Sequence, residues 1–516
     1  MSTTATNETV EAEAPRAGAR AWAALAVLML PVLLVSVDNT VLSFALPEIS
    51  LALAPTSIEQ LWIIDVYPLV LAGLLVTMGT LGDRFGRRKM LLIGSTGFAA
   101  VSVLAAFAPT AMLLVVARAL LGVFGAMLMP STLSLLRSLF RNREQRRFAI
   151  AVWASAFSAG SALGPIVGGF LLEHFSWGSV FLLAVPVLVP LLIAAPLLVP
   201  ESRDPAPGRI DLVSIALSMA TMIPVVYAIK TFAVHGFGVA PVLWLLGGVA
   251  MGVLFVRRQL AAESPMLDMQ LFRRGSFSGA ILVNLLSVVA LVGFLYFVSQ
   301  HVQLVLGLSP MQAGLALVPG MAAMIVSGLG VVPIARRVPP HILIPAALVF
   351  SFAGYLIVAL STSDHGVLPL VIAFVTLGIG IGAAETISNE LIVTNAPPAK
   401  AGAASAVSET AYELGAVLGT ALLGGLITAF YRNALVLPAG LDATAREAAS
   451  ETLSGAYTVS HGLPEPLGSQ LWEAAAAAFG SGVTVTSLIG AGLVAVAAVV
   501  AAVMLRRSGS ETQESA

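Results

Sequence analysis

The sequence predicts an all-α polytopic membrane protein, and three observations carry that reading. Of 516 residues, 58% are hydrophobic and 10% charged, with a mean hydropathy of +0.96. A soluble domain carries about 25% charged residues, so a water-soluble core could not hide this much apolar surface. Fourteen apolar runs separated by charged or Pro/Gly-rich breaks follow one another along the chain, and a run of about 20 residues crosses ~30 Å of hydrocarbon. Basic residues collect in alternate breaks. A soluble enzyme, a secreted disulfide scaffold and a disordered chain are excluded. The net charge of −1 leaves no basic excess for nucleic acid. With no cysteine there is no disulfide, thiolate metal site or redox pair.

In order, the runs are 22–46, 58–80, 89–108, 111–136, 148–172, 179–199, 210–230, 239–256, 277–298, 312–335, 341–361, 367–394, 402–430 and 482–505. Internal Gly and Pro are tolerated where neighbouring helices satisfy the freed backbone. Orientation follows from Lys and Arg. With the N-terminus in the cytoplasm, 22 of the 26 basic residues fall in cytoplasmic segments, and Lys230, Arg432 and Arg446 fall outside. Arg118 lies within a span. A miscounted span would invert every later loop, so the separation supports fourteen spans with both termini inside.

Residues 1–21, with Glu8, Glu11 and Glu13, precede an apolar run too long for a signal peptide. They read as a cytoplasmic tail, as do 506–516. Spans 7 and 8, within 200–265, show no charged residue inside the membrane. They read as an insertion between two six-helix bundles, 22–199 and 266–505. The outward stretch 431–481 holds two Ala/Glu-rich segments, Asp442–Leu453 and Ser469–Phe479. They form either a helical hairpin cap or a loose spacer.

Charged groups inside spans are expensive and mark ion or substrate paths. The candidates are Asp38, Asp65, Arg118, Glu385, Glu409 and Glu413. At 1.5 Å rise per residue, Asp38 lies ~24 Å above the inner face, and Asp65 and Arg118 each lie ~11 Å below the outer face. All three share one level. Arg118 can pair permanently with one Asp as architecture, which leaves one acid over. Glu409 and Glu413, four residues apart, share a helix face. Two like charges this close in low dielectric cannot both ionise cheaply, the electrostatic requirement for a proton carrier. Glu385, among Gly378, Gly380 and Gly382, reads equally as functional or structural. Five buried acids against one buried base attract cations. Trp62, Tyr67, Trp153, Phe157 and Tyr412 at similar depths offer cation–π faces or ordinary packing. None of the six His lies mid-span, so no metal site or His relay is expected and proton chemistry falls to carboxylates.

Two motifs add a resemblance. Gly79-Thr-Leu-Gly-Asp83-Arg84-Phe-Gly86-Arg87-Arg-Lys89 fills the second loop; its glycines permit a tight turn. It resembles the signature of the major facilitator superfamily, with only Ala335-Arg336-Arg337 as a reduced second copy. In span 5, Gly160, Gly164, Pro165, Gly168 and Gly169 provide small residues for close helix approach and resemble that superfamily's antiporter motif. Arg118-Ala-Leu-Leu-Gly122 resembles its span 4 motif. The surroundings of Asp38, Asp65 and the Glu409/Glu413 pair, with fourteen spans, resemble the Qac-type drug:proton antiporters.

The resemblance implies a major facilitator fold of two six-helix bundles plus two inserted helices. It also implies proton-coupled export of cationic amphipathic drugs, such as quaternary ammonium compounds and dyes. Asp38, Arg118 and Glu413 are expected in proton coupling. Asp65, Glu409, Glu413, Trp62 and Tyr412 are expected in cation recognition. The expected setting is a monomer in the plasma membrane, without a cofactor and driven by the proton gradient. An exporter of an endogenous metabolite or antibiotic is the alternative. A channel or membrane enzyme would need a pore-lining repeat or a catalytic cluster, and neither is visible.

Overall fold

The structure is a computed structural model and describes residues 17–204, 211–236, 238–262, 269–361, 366–395 and 401–511. The first six spans are α1 (Ala19–Leu53), α2 (Ser57–Phe85), α3 (Arg87–Ala106), α4 (Ala111–Leu139), α5 (Arg143–His174), and the pair α6 (Ser179–Leu182) and α7 (Ala184–Leu198). The inserted spans are α8 (Leu212–His235) and α9 (Val239–Ala261). Next come α10 (Gly275–Gln300), extended by a π-helical turn His301–Val305, then α11 (Pro310–Ala335), α12 (Pro340–Leu360) and α13 (Leu368–Thr394). The thirteenth span is α14 (Ala401–Gly419), a π-helical turn Thr420–Gly424 and α15 (Gly425–Ala434). Two short helices, α16 (Ala443–Glu451) and α17 (Leu453–Gly462), precede the last span in α18 (Leu467–Glu511). Among the described residues, fourteen helical segments are long and apolar enough to cross a membrane.

Inside hydrocarbon every backbone group must be satisfied within the chain, which makes helix the only open solution for these runs. The ends are set by polar caps. Thr56 and Glu59 form a reciprocal capping box on α2, as Ser309 and Gln312 do on α11. The Asn142 side chain accepts from the amides of Glu144 and Gln145 at the start of α5. Asp211 caps α8 and pairs with Arg258 of α9 at 2.8 Å. Hydrogen bonds from Arg258 hold the Asp211 carboxyl well below the usual carboxylate range.

Helix α1 packs on α5 and α7, α2 on α4, α11 on α13, and α12 on α13 and α18. Contacts that join the early helices to the late ones run between α2 and α14, α5 and α11, and α1 and α10. The glycines of α5 allow close approaches to both α1 and α11. A Cβ on Gly160 would lie 2.8 Å from the Leu33 carbonyl oxygen of α1, and one on Gly164 would overlap Thr40. A Cβ on Gly169 would lie 2.9 Å from the Pro310 carbonyl oxygen of α11. Helix α5 therefore touches both α1 and α11 nearly backbone to backbone.

The loop motif is folded as its residues suggest. Helix α2 stops at Phe85, Gly86 turns at φ 117°, and α3 starts at Arg87. Asp83 pairs with Arg87 at 2.8 Å. The Glu201 carboxylate then accepts from the amides of Arg88 (2.9 Å) and Lys89 (3.2 Å), satisfying the open N-terminus of α3. A Cβ at Gly86 would meet that carboxylate at 2.8 Å. Arg84 is exposed and Gly79 faces Pro130 at ordinary contact.

Three sequence expectations need correction. The outward hairpin consists of α16 and α17, while 469–479 continues into α18 as one helix. The alanine-rich stretch contains no proline, and the helix runs through Gly480 and Gly482 into the last apolar run. The hairpin is docked, with Ser57 Oγ donating to Glu451 at 2.7 Å and Arg432 pairing with Glu451 at 3.2 Å. Helix α8 runs five residues beyond Lys230, which is fully buried instead of lying outside. The inserted spans therefore do carry an internal charge, and the buried bases number at least two among the described residues, Arg118 and Lys230.

Gly164→Val forces a branched side chain into the α1–α5 contact, where overpacking costs ~1–3 kcal/mol. Thermal unfolding of the purified protein should show a lowered midpoint. Gly247→Ala, at a glycine with no atom within 4 Å of its added Cβ, should leave the midpoint unchanged.

Candidate functional site

The site is built where α1, α2, α4, α10 and α14 meet. Arg118 of α4 is 1% exposed. Its Nη1 donates to Asp38 Oδ2 of α1 at 2.6 Å and its Nε to the Ile63 carbonyl of α2 at 3.3 Å. Its guanidinium lies 4.4 Å from the Tyr67 ring centroid. A buried guanidinium needs such a set of partners, because its desolvation is recovered only through good geometry and satisfied donors.

The residue after Asp38 turns to the other side. Asn39 Nδ2 donates to Glu413 Oε1 of α14 at 3.4 Å. Two consecutive residues of α1 thus reach the α4 base and the α14 acid. A cavity of about 40 Å³ lies between them, lined by Asn39, Thr40, Ser43, Ile64, Pro68, Arg118, Leu295 and Tyr412, among others. The Tyr412 ring meets Phe157 of α5 edge-on at 5.8 Å.

The acids of the C-terminal half are under-partnered. Glu413 is 1% exposed, and its Oε2 has no hydrogen-bond partner; neither have Glu409 Oε1 and Glu385 Oε1. Such orphaned atoms in a low-dielectric site are costly when ionised, so each carboxyl is poised to exchange a proton or to meet a cation. Beside Glu409, Ser408 Oγ donates to Asn389 Oδ1 at 2.5 Å and Asn284 Nδ2 donates to the same oxygen at 2.9 Å. This network joins α10, α13 and α14 at the foot of the acid pair.

Asp65 and Trp62 go elsewhere. Asp65 Oδ2 lies 3.0 Å from Lys230 Nζ of α8, both side chains fully buried. The ammonium sits 3.7 Å from the Trp62 ring centroid.

Comparison with known proteins decides the family. A family model described as Major Facilitator Superfamily matches residues 28–420. The chain belongs to the major facilitator superfamily. It is 56% identical to the multidrug efflux pump LfrA of Mycolicibacterium smegmatis, over 95% of this chain and 98% of that one. It is 36% identical to the methyl viologen resistance protein SmvA of Salmonella typhimurium, over 89% of this chain and 93% of that one. Among solved structures, a bacterial homologue of the lysosomal transporter Spinster, inward-facing and unoccupied, aligns with a TM-score of 0.64 at 16% identity. That alignment covers 95% of this chain and 97% of the other, and shares the fold.

Within this superfamily fold the expected residues separate into two groups. Arg118 and Tyr412 line the cavity, Asp38 is tied to Arg118 and Glu413 to the lining residue Asn39, with Glu409 one turn from Glu413 on α14 and Glu385 on the neighbouring α13. Asp65 and Trp62 are drawn to α8 and do not line the cavity. Gly160, Gly164, Pro165 and Gly168 sit at helix crossings, and Gly79, Asp83, Arg84, Gly86 and Arg87 at the α2–α3 turn.

Sequence reasoning missed Asn39 and Lys230. Asn39 carries no charge, so a search for charges passed over it. The charge of Lys230 reads as a span end, although Thr231-Phe232-Ala233 continues the apolar run.

Asp38→Asn leaves Arg118 buried without its counter-charge. Breaking one side of a buried pair costs ~3–5 kcal/mol, so thermal unfolding of the purified variant should move to lower temperature. Arg118→Lys, which keeps the charge but not the forked reach to Ile63, should fall between the two.

Proposed function

We propose that this major facilitator protein is a proton-coupled antiporter that exports cationic amphipathic drugs by alternating access. The observation that carries this reading is the bridge at Asp38 and Asn39. Neighbouring residues of one helix hold the buried base Arg118 on one side and the under-partnered acid Glu413 on the other. Ionised Glu413 and Glu409 give an organic cation its counter-charge, and Tyr412 offers a ring face beside them. Protonation of Glu413 removes that counter-charge and weakens the hydrogen bond from Asn39, so the cation leaves and the hold of α14 on α1 loosens. One proton exchanged for a monovalent cation moves no net charge and draws on the pH gradient alone, whereas a second proton adds one net charge, worth ~2.3 kcal/mol per 100 mV. The drug-efflux names of the relatives agree with this substrate class.

Alternating access is required by size. A drug-sized ligand needs a pocket of ~300–1,000 Å³, whereas the cavity measures about 40 Å³. Substrate enters when the α2–α14 and α5–α11 contacts part on one side. The protein acts as a monomer in the plasma membrane without a cofactor, and both termini lie in the cytoplasm.

Cells producing the protein should lose preloaded ethidium, and an uncoupler should stop the loss. Glu413→Gln should abolish both that loss and the release of protons on drug addition. Unchanged transport and proton release in this variant would overturn the assignment. Because the chain has no cysteine, orientation is read from single replacements. Glu447→Cys in α16 should react with an impermeant maleimide in intact cells, and Arg141→Cys only after permeabilisation.

A further inference from the structure

Lys230 belongs to α8, one of the two inserted helices, and its surroundings form a complete ammonium site. Nζ meets Asp65 Oδ2 at 3.0 Å, donates to the Leu61 carbonyl at 3.2 Å and lies 3.7 Å from the Trp62 ring centroid. A carboxylate, a carbonyl and an indole face are the chemistry that holds an organic cation. All of it comes from one face of α2. Trp62, Asp65 and Leu69 point toward α8, while Ile64 and Pro68 line the cavity. An apolar cluster of Leu69, Val226, Val417 and Ala421 encloses the pair, so α2, α8, α14 and the turn Thr420–Gly424 meet around it. The other groups facing Asp65 are uncharged: Thr420 from that turn and the Tyr296 phenol from α10. The phenol is in turn close to Thr428 of α15. Helix α9 keeps Arg257 and Arg258 near its far end, and Arg258 is engaged by Asp211.

We propose that Lys230 is a tethered counter-cation: it fills the cation site made by Asp65 and Trp62, withholds that carboxylate from proton and drug exchange, and ties α8 to α2. Lys230 is thus a positioning residue that decides which acids take part in transport. The neutral pair lets α8 move with α2 as one body, leaving exchange to Glu413, Glu409 and the Asp38–Arg118 pair. The proposal deepens the antiport reading and rests on it.

The test uses the full-length protein, purified and reconstituted, with tetraphenylphosphonium as the probe. It measures protons released per probe bound and the pH profile of binding. Asp65→Asn combined with Lys230→Gln removes both charges and should match the unaltered protein in proton count, with uncoupler-sensitive export within about twofold. Lys230→Gln alone strands Asp65, so it should release more protons per probe and show an additional pH-dependent step that the double variant lacks. A folded double variant that loses export tenfold or more would show Asp65 to be a transport carboxylate and would overturn the proposal. So would a Lys230→Gln protein with an unchanged proton count and pH profile. If Lys230→Gln fails to fold, the double variant decides alone, and its own failure to insert would make the pair architectural and overturn the proposal. Absence of proton release in the unaltered protein would overturn the antiport reading as well, and it is seen before any variant is compared.

Discussion

Charge in a low-dielectric interior must be matched or given up, and this protein does both. Asp38 is matched by Arg118 and Asp65 by Lys230, each through a direct ion pair. Asp65 Oδ1 has no hydrogen-bond partner, as is true of one buried oxygen each on Glu413, Glu409 and Glu385, but Asp65 has a cation at 3.0 Å and the three glutamates pair with none among the described residues. Removing one partner of a matched pair strands a buried charge, whereas an unmatched acid offsets its burial by taking a proton or a cation. The three glutamates without an ion-pair partner thus lie on α13 and α14, and the paired charges join α4 to α1 and α8 to α2.

Geometry converts that division into a coupling device. Asp38 and Asn39 are neighbours on α1, so a change at Glu413 is felt one residue away from the Arg118 pair. The glycines of α5 bring α1 and α11 to either side of the same helix. Contacts this close have few intermediate arrangements, since packed interfaces switch between discrete states instead of deforming smoothly. Under the proposed antiport, an exchange of a proton for a cation at α14 moves whole helices.

Much of this was legible in the amino-acid pattern. The fourteen apolar runs, the α2–α3 loop motif and the buried acids could all be located from periodicity, charge and span length. Depth along a span put Asp38 and Arg118 at one level, and they are paired. The same arithmetic put Asp65 with them, and there it ran out. Depth says nothing about which face of α2 a side chain occupies, and Asp65 points away from the cavity. The hairpin ahead of α18 was divided wrongly for a related reason: alanine-rich sequence is equally at home in a separate helix or in the extension of a longer one.

By itself the sequence determined that this is a membrane protein of fourteen helices with acids held in oil, because apolar length and charge cost are local properties of the chain. Only the tertiary structure decided which acids are neutralised. Lys230 lies 165 positions from Asp65 along the chain, on a helix that reads from the sequence as an uncharged insertion. Ion pairing is a property of helix rotation and neighbour choice, and both are set by packing between distant segments.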